Sequence, residues 1–315
     1  VLFRSLASFG LDSIPQFVKG VFVLDFTGYS LDDAEGSITG EDVFIERNGV
    51  KVSIPYINLS AYEYDQIKEL RLRSDLIDAS IKGQFRLELL DVSILHMLHQ
   101  LIPAYFSMPQ MQLPNEDFVF DFDLKKPYDL TSLYMPRLRI EPCKGKGNYR
   151  SSDQVLDFNF NNNLIAYDDY ELRNLRLNAS KRKGKNLNMQ VDIAHFTDQD
   201  FIKVNNILIK SNVFDNVIDF TVAGVDTGYK IGLNSIGRIL FKEDSIYLQM
   251  SDMQLAVADM IWKLDTNAVG TLTDGKFLMD NFVFRCKDQL ISIVGELGES
   301  TNNRIDFQVG AFALS

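Results

Sequence analysis

The stretch Phe118-Val-Phe-Asp-Phe-Asp-Leu124 decides the fold, because apolar and acidic side chains alternate along most of it. Successive side chains of a β-strand point to opposite faces of the sheet, so this stretch predicts a strand with one apolar and one polar face. Leu187-Asn-Met-Gln-Val-Asp-Ile193 and Ile305-Asp-Phe-Gln-Val309 repeat the pattern. Since most such segments follow one another without intervening helices, we expect an all-β protein built on a long antiparallel sheet.

Short turn motifs separate the predicted strands. Asn48-Gly49 lies between two apolar segments, and this dipeptide is typical of a tight hairpin because both turn positions need positive φ. At about 12 to 16 residues per strand and turn, the chain makes about 20 strands. An open sheet of that size curls, splits or closes, which leaves a sandwich, a barrel or a lengthwise trough.

A single helix is predicted within the sheet, at about residues 90–105. Apolar side chains recur there every three or four positions, at Leu90, Ile94, Leu98, Leu101 and Tyr105. Pro103 should end the helix. Because its polar face carries no Lys or Arg, we expect this amphipathic helix to cap the end of a sheet rather than to bind a membrane.

The composition excludes several classes of function. The 315 residues are 46% hydrophobic and carry a formal net charge of −11, which argues against nucleic acid and against anionic lipid headgroups as partners. The two cysteines, Cys143 and Cys286, are too few for a disulfide scaffold, and we expect two free, partly buried thiols. Both ends of the sequence suggest a fragment of a longer protein.

No set of residues predicts catalysis, a metal site or a cofactor, so we expect a protein that is not an enzyme. His96 and His99 lack further ligands, and His195 is isolated. Asp226-Thr-Gly228 resembles the tripeptide of aspartic proteases, whose chemistry needs two such carboxylates. A second copy is absent, which excludes a single-chain protease, leaves a dimeric one formally open and favours an ordinary turn.

Several stretches resemble TamB-type proteins of the AsmA-like superfamily of Gram-negative envelopes. They are Leu70-Arg-Leu-Arg-Ser-Asp-Leu-Ile-Asp-Ala-Ser-Ile-Lys-Gly-Gln-Phe85 with the helix that follows it, Asp33-Ala-Glu-Gly-Ser-Ile-Thr-Gly40, Phe282-Val-Phe-Arg and Ile291-Ser-Ile-Val-Gly-Glu-Leu297. The resemblance implies a sheet curled into a trough, or β-taco, with an apolar interior. It also implies a periplasmic chain whose parent protein is anchored in the inner membrane and engages an Omp85-type outer-membrane protein through regions outside residues 1–315.

This resemblance gives the sequence its functional interpretation. We expect residues 1–315 to form one elongated trough segment that carries phospholipid acyl chains between the inner and outer membranes. The alternatives are a scaffold that assists translocation and assembly of outer-membrane β-barrel proteins by strand addition, and a plain β-rich surface protein. A closed sandwich core is the structural alternative to a groove.

The predicted groove consists of the apolar positions of the alternating strands. They are Phe118, Phe120, Phe122, Leu124, Phe158, Phe160, Leu187, Met189, Val191, Ile193, Phe282, Phe284, Ile291, Ile293, Ile305, Phe307 and Val309.

Overall fold

A computed structural model describes most of the chain. The described residues are 16–28, 32–107, 115–198, 202–226, 231–257, 260–265, 267–298 and 304–310. They divide into two compact units. Unit 1 comprises residues up to Asp91 together with Gln112–Asn178, and unit 2 comprises Val92–Met111 and the residues from Ala179 onward.

The all-β prediction is confirmed, because in the described residues 20 strands belong to one long antiparallel sheet, accompanied by two α-helices. The first ten strands are β1 (Gln16–Thr27), β2 (Glu35–Arg47), β3 (Val50–Tyr64), β4 (Ile67–Ser74), β5 (Ile77–Gln84), β6 (Asp117–Leu124), β7 (Leu138–Ile140), β8 (Cys143–Arg150), β9 (Val155–Tyr167) and β10 (Tyr170–Lys181). The other ten are β11 (Leu187–Asp198), β12 (Ile202–Phe214), β13 (Val217–Asp226), β14 (Ile231–Lys242), β15 (Ser245–Val257), β16 (Met260–Leu264), β17 (Ala268–Thr273), β18 (Lys276–Cys286), β19 (Gln289–Gly298) and β20 (Arg304–Gly310). The helices are α1 (Leu90–Leu101) and α2 (Pro127–Tyr134).

Two-residue turns set the register of the hairpins. Asn48 and Gly49 have φ values of 50° and 78° and join β2 to β3, so that Arg47 pairs with Val50. The predicted hairpin is therefore confirmed. Asp215 and Asn216 join β12 to β13 in the same way, with φ values of 40° and 63°. Positive φ at both central residues gives a turn whose twist matches that of the strands it connects.

Unit 1 contains a simple antiparallel run from β1 to β6, in which each strand pairs with the next. Strand β6 then pairs with β8, and β8 pairs with β9. The short strand β7 lies beyond β8 along the same partner, since it pairs with residues 165–167 of β9.

Helix α2, which was not predicted from the sequence, covers part of the apolar face of unit 1. Leu133 is 3% exposed and packs in a core cluster with Val43, Val52, Ile54 and Leu76. The Arg47 guanidinium donates a 2.6 Å hydrogen bond to the Leu133 carbonyl oxygen. The helix has eight residues and begins at a proline, so its apolar repeat is too short to stand out from the surrounding strand patterns.

Unit 2 contains a second antiparallel run, from β11 to β15. There β15 pairs with two strands, with β17 along residues 246–250 and with β16 along residues 254–257. Both of these strands pair with β18, which continues to β19 and β20. Strands β16 and β17 therefore occupy the place of one interrupted strand.

The predicted helix at 90–105 is α1, which ends four residues earlier than expected. Its C-terminal end contacts the turn between β12 and β13, because the Asn216 amide donates to the Leu101 carbonyl oxygen at 3.0 Å. The Ala104 amide donates to Asn216 Oδ1 at 2.6 Å. This contact with a hairpin end agrees with the cap that we expected.

Two of the five apolar positions predicted for the helix at 90–105 are exposed, and one of them, Tyr105, lies beyond the end of α1. Leu101 is 4% exposed, but Ile94 is 55% exposed and Tyr105 is 61% exposed. Hydrogen bonds to the β12–β13 turn come from Leu101 and Ala104, at and just beyond the C-terminal end of the helix. Position in the helical repeat alone therefore does not decide burial.

Among the described residues, neither helix combines the length and the hydrophobicity that a membrane span requires.

We expect the core around α2 to depend on Leu133. Truncation in Leu133→Ala leaves a cavity beneath the helix and should lower the free energy of unfolding by about 2–5 kcal/mol. Met135→Ala is the control, since Met135 is 53% exposed at the end of the same helix and should cost little. Urea unfolding followed by far-UV circular dichroism measures both, and equal losses would contradict the packing described for Leu133.

Candidate apolar binding face

The predicted groove residues of unit 1 lie on one face of the sheet, which we call the apolar face of unit 1. Directly paired residues of neighbouring antiparallel strands point to the same side. Two complete rows of paired residues follow from the register. The first row is Leu24, Ile38, Leu59, Leu72, Ala79, Phe122, Gly145 and Phe160. The second row is Phe26, Gly36, Ala61, Leu70, Ile81, Phe120, Gly147 and Phe158.

These rows hold no polar side chain, and every position in them is aliphatic, aromatic or glycine. The neighbouring row on the opposite face is polar throughout. It consists of Asp25, Ser37, Ser60, Arg71, Ser80, Asp121, Lys146 and Asn159. The alternation seen in single segments of the sequence thus extends across eight strands as two chemically distinct faces.

Glycines of β8 let aromatic rings meet across that strand. Phe120 on β6 stacks on Phe158 of β9, with ring centroids 6.0 Å apart and an interplanar angle of 23°. A Cβ atom at Gly147, which lies between them in the row, would stand 2.6 Å from Phe120 Cζ. Phe122 and Phe160 approach each other in the same way, at 6.3 Å across Gly145. The absence of side chains at Gly145 and Gly147 therefore makes room for a continuous aromatic strip.

The middle of the apolar face of unit 1 is only half-buried. Of the named groove residues there, Phe118 is buried at 9% exposure, whereas Phe120, Phe122, Leu124, Phe158 and Phe160 are all of intermediate exposure. Beneath α2 the same face is covered completely, with Val43 at 3% exposure and Leu76 at 1%. The two rows are therefore less completely covered than Val43 and Leu76, which α2 shields from solvent.

The groove residues of β11 lie on the apolar face of unit 2. Leu187, Met189, Val191 and Ile193 pair in turn with Val213, Ser211, Ile209 and Ile207 of β12. The row that starts at Leu187 continues through Ile218, Ile239 and Leu248 on the next strands. Leu187 and Ile193 are 7% exposed, while Met189 and Val191 are half-buried.

The structure also brings together the groove residues of β18, β19 and β20. Phe282 pairs with Ile293, which pairs with Phe307, and Phe284 leads in the same way to Ile291 and Val309. Phe284 is 6% exposed and packs with Trp262 and Cys286 in a core cluster that Ile291 and Ile293 adjoin.

Strand β20 carries the exposed margin of this face. Ile305 is 38% exposed, Phe307 64% and Val309 61%. These three predicted groove residues therefore lie on the apolar face by register but are open to solvent. The apolar side chains of β20, the last described strand, are thus more exposed than Phe284 on β18.

Other candidate groups do not assemble into a reactive site. His96 contacts Gln100, His99 lies 2.5 Å from the Phe106 carbonyl oxygen through Nδ1, and His195 contacts Asn205. Burial, and secondarily the charge of His99, lower the pKa of His96. In the part of the chain that the structure describes, no three metal-binding side chains lie together.

The remaining motifs have ordinary structural positions. Asp226 ends β13, whereas Thr227 and Gly228 lie outside the described residues. Cys143 and Cys286 are free, as expected, but they are fully rather than partly buried. Burial raises the pKa of the Cys143 thiol.

Sequence reasoning missed the contribution of the first five strands to this face. Leu59, Leu72 and Ile81 are in the two rows, yet they were not named as groove residues. Their signal is the same alternation, as in Leu70-Arg-Leu-Arg73, but it is spread over short segments that contain Ala and Gly. Only the strand register shows that Ala79 and Gly36 complete the rows.

Comparisons with known proteins add no family assignment. No protein-family model, curated protein or solved structure matches the chain. The resemblance to TamB-type proteins therefore stays a prediction that rests on the sequence motifs.

A side chain at Gly145 should destabilise unit 1. The added methyl group of Gly145→Ala would collide with the Phe122 ring, and overpacking of this kind costs about 1–3 kcal/mol. Gly310→Ala is the matched control, because its nearest neighbour is Leu290 Cβ at 3.9 Å. Chemical unfolding of both variants tests the aromatic strip, which would be refuted if the two behaved alike.

Tyr149 gives the apolar face of unit 1 a distinct alkaline titration. It is 9% exposed beside Phe118, and burial, together with the Glu116 carboxylate, raises its pKa to about 12. The folded state keeps this phenol protonated to a higher pH than the unfolded state, in which its pKa is about 10. The resulting contribution to the free energy of unfolding is complete below pH 10 and is lost as pH rises through about 12. We expect Tyr149→Phe to remove this loss between about pH 10 and 12. Its absorbance titration at alkaline pH should lack one late phenol, and an unchanged titration would contradict the assignment.

Proposed function

We propose that the chain binds the acyl chains of lipids along its apolar faces and provides a hydrophobic groove for phospholipid transport between the inner and outer membranes. The observation that carries this proposal is the pair of apolar rows in unit 1, which cross eight strands and are half-buried over most of their length. Leu24, at the β1 end of the first row, is 61% exposed. A closed sandwich would cover such rows as completely as α2 covers Val43 and Leu76.

The free energy for such binding comes from transfer out of water. Each buried CH₂ group contributes about 0.8 kcal/mol, so a tail of about 16 carbons gains on the order of 10 kcal/mol in a dry groove. The rows hold no polar side chain that would fix one position of the tail. Movement along the face then exchanges one apolar neighbour for another at little cost, and it needs no catalytic residue.

The choice of phospholipid, of the periplasm and of an inner-membrane anchor in the parent protein rests on the TamB-like motifs. The acidic net charge of −11 supports a ligand that is held by its tail rather than by an anionic headgroup. An Omp85-type partner would be engaged outside residues 1–315, so no residue described here is assigned to it.

Strand β20 supports a second candidate, a scaffold that adds client strands during the assembly of outer-membrane proteins. Six of its seven residues, from Arg304 to Val309, are exposed, and its recorded pairing runs along β19. An exposed strand can template the pairing of another chain. This candidate needs an open strand edge, whereas lipid binding needs an open face.

A charge on the apolar face should abolish lipid binding. Phe120→Asp places a carboxylate in the middle of the second row. A bound acyl chain would have to remove this charge from water, which is unfavourable. We expect phospholipid to be found with the wild-type chain by native mass spectrometry, and at least tenfold less with this variant.

Val119→Asp is the matched control, since Val119 is 54% exposed on the opposite face of the same strand. It should keep its lipid, and circular dichroism establishes that both variants fold. If Phe120→Asp does not fold, a photoreactive residue at Leu72 replaces it, with the exposed Arg71 as its control position. The proposal would be overturned if the wild-type chain carried no lipid, or if lipid crosslinked equally to positions 72 and 71. Crosslinks of client strands to β20 alone would favour the scaffold.

A further inference from the structure

A concave surface lies over the polar row of unit 2, and its lining also includes Ser211, Phe220, Gly237 and Met250 from the neighbouring row of Met189. Its volume is about 940 Å³, and it extends over β11 to β15 and β17. A single cross-strand row runs through it, namely Asn188, Asn212, Asp219, Arg238 and Gln249. We call this surface the polar concavity.

The side chains of this row combine hydrogen-bond donors with acceptors. Each amide offers both, Asp219 only accepts and Arg238 only donates. Arg238 binds Asp219 through two hydrogen bonds, from Nε at 2.5 Å and from Nη2 at 2.9 Å. This bidentate pair holds both groups in fixed orientations in the middle of the row.

The charges of the polar concavity nearly cancel. Asp219 and Arg238 neutralise each other, and Lys210 adds one positive charge at the margin. An anionic ligand would meet the Asp219 carboxylate at the centre, and a cationic one would meet Arg238. An apolar ligand would remove several amide groups from water without replacing their hydrogen bonds. The ligand that fits best is therefore neutral and rich in groups that both donate and accept hydrogen bonds.

Hydroxyl groups have this property, and they are arranged in adjacent pairs on sugars. The strand spacing of about 4.8 Å places the amide, carboxylate and guanidinium groups at regular steps along the row. Such a repeat suits a chain of sugar units that lies across the strands. The exposed Ile236 and the half-buried Val269 supply apolar contacts beside the polar groups.

We propose that the polar concavity is a binding site for a neutral oligosaccharide, oriented across β11 to β15. The polar row is separate from the proposed lipid groove, because its side chains point away from the apolar face. Its ligand is held by hydrogen bonds from Asn188 and Gln249 at the two ends of the row and by the fixed Asp219–Arg238 pair between them.

The test is calorimetric titration of the intact chain with two probes, a β-linked glucose hexamer and its N-acetylated counterpart. The double variant Asn188→Ala, Gln249→Ala should weaken binding at least tenfold, since it removes both exposed ends of the row. The matched control is Asn234→Ala, Gln254→Ala. These residues pair with each other on β14 and β15, on the same face but outside the concavity.

The outcomes separate clearly. Binding that is lost in the first variant and kept in the control supports the site. No binding of either hexamer by the wild-type chain, or equal loss in both variants, overturns it. Binding of a neutral extended peptide in place of the hexamers would also overturn the assignment to a sugar ligand. Because all four replaced residues lie on the polar face, lipid retention by the same variants should not change.

Discussion

Cross-strand register is the constraint on which the rest of this structure depends. A one-residue slip in one hairpin would move every later apolar side chain to the wrong face. Two-residue turns prevent such a slip in several hairpins, for example at Asn48-Gly49, because the residues that flank the turn must pair. The apolar rows of unit 1 are the cumulative result of this register over eight strands.

Several strands change the phase of their alternation, and the structure accommodates each change with an irregularity. In β15 the apolar positions Ile246, Leu248 and Met250 are followed by Met253 rather than by residue 252, and the register shifts at the facing residues of β14. In β18 a similar shift lies between Met279 and Phe282, where Asn281 has a φ of 59°. An extra residue at such a bulge returns the next apolar side chain to the same face. The bulges therefore preserve the apolar face where strict alternation would have lost it.

The sequence predicts the strands and their faces better than it predicts what lies over them. Alternation along Phe118–Leu124 places Phe120 and Phe122 on one side, and the register agrees. Exposure is a different property, because it depends on whether another element packs on that face. Helix α2 covers one part of the apolar face of unit 1, yet its eight residues leave little periodic signal. Likewise, nothing in Ile305–Val309 distinguishes an exposed last strand from a covered one.

The two faces of the sheet can serve different ligands because adjacent residues of a strand point in opposite directions. In unit 2, Met189 belongs to the apolar face and Asn188 to the polar concavity, although they are neighbours in the chain. The polar row of the concavity consequently shares no side chain with the apolar face, although Phe220 and Met250 of that face also line the concavity. A ligand on one face can act on the other only if it changes the curvature of the strands, since the backbone hydrogen bonds that fix the register are already made within the sheet. Independent binding on the two faces is therefore the expected behaviour of this architecture.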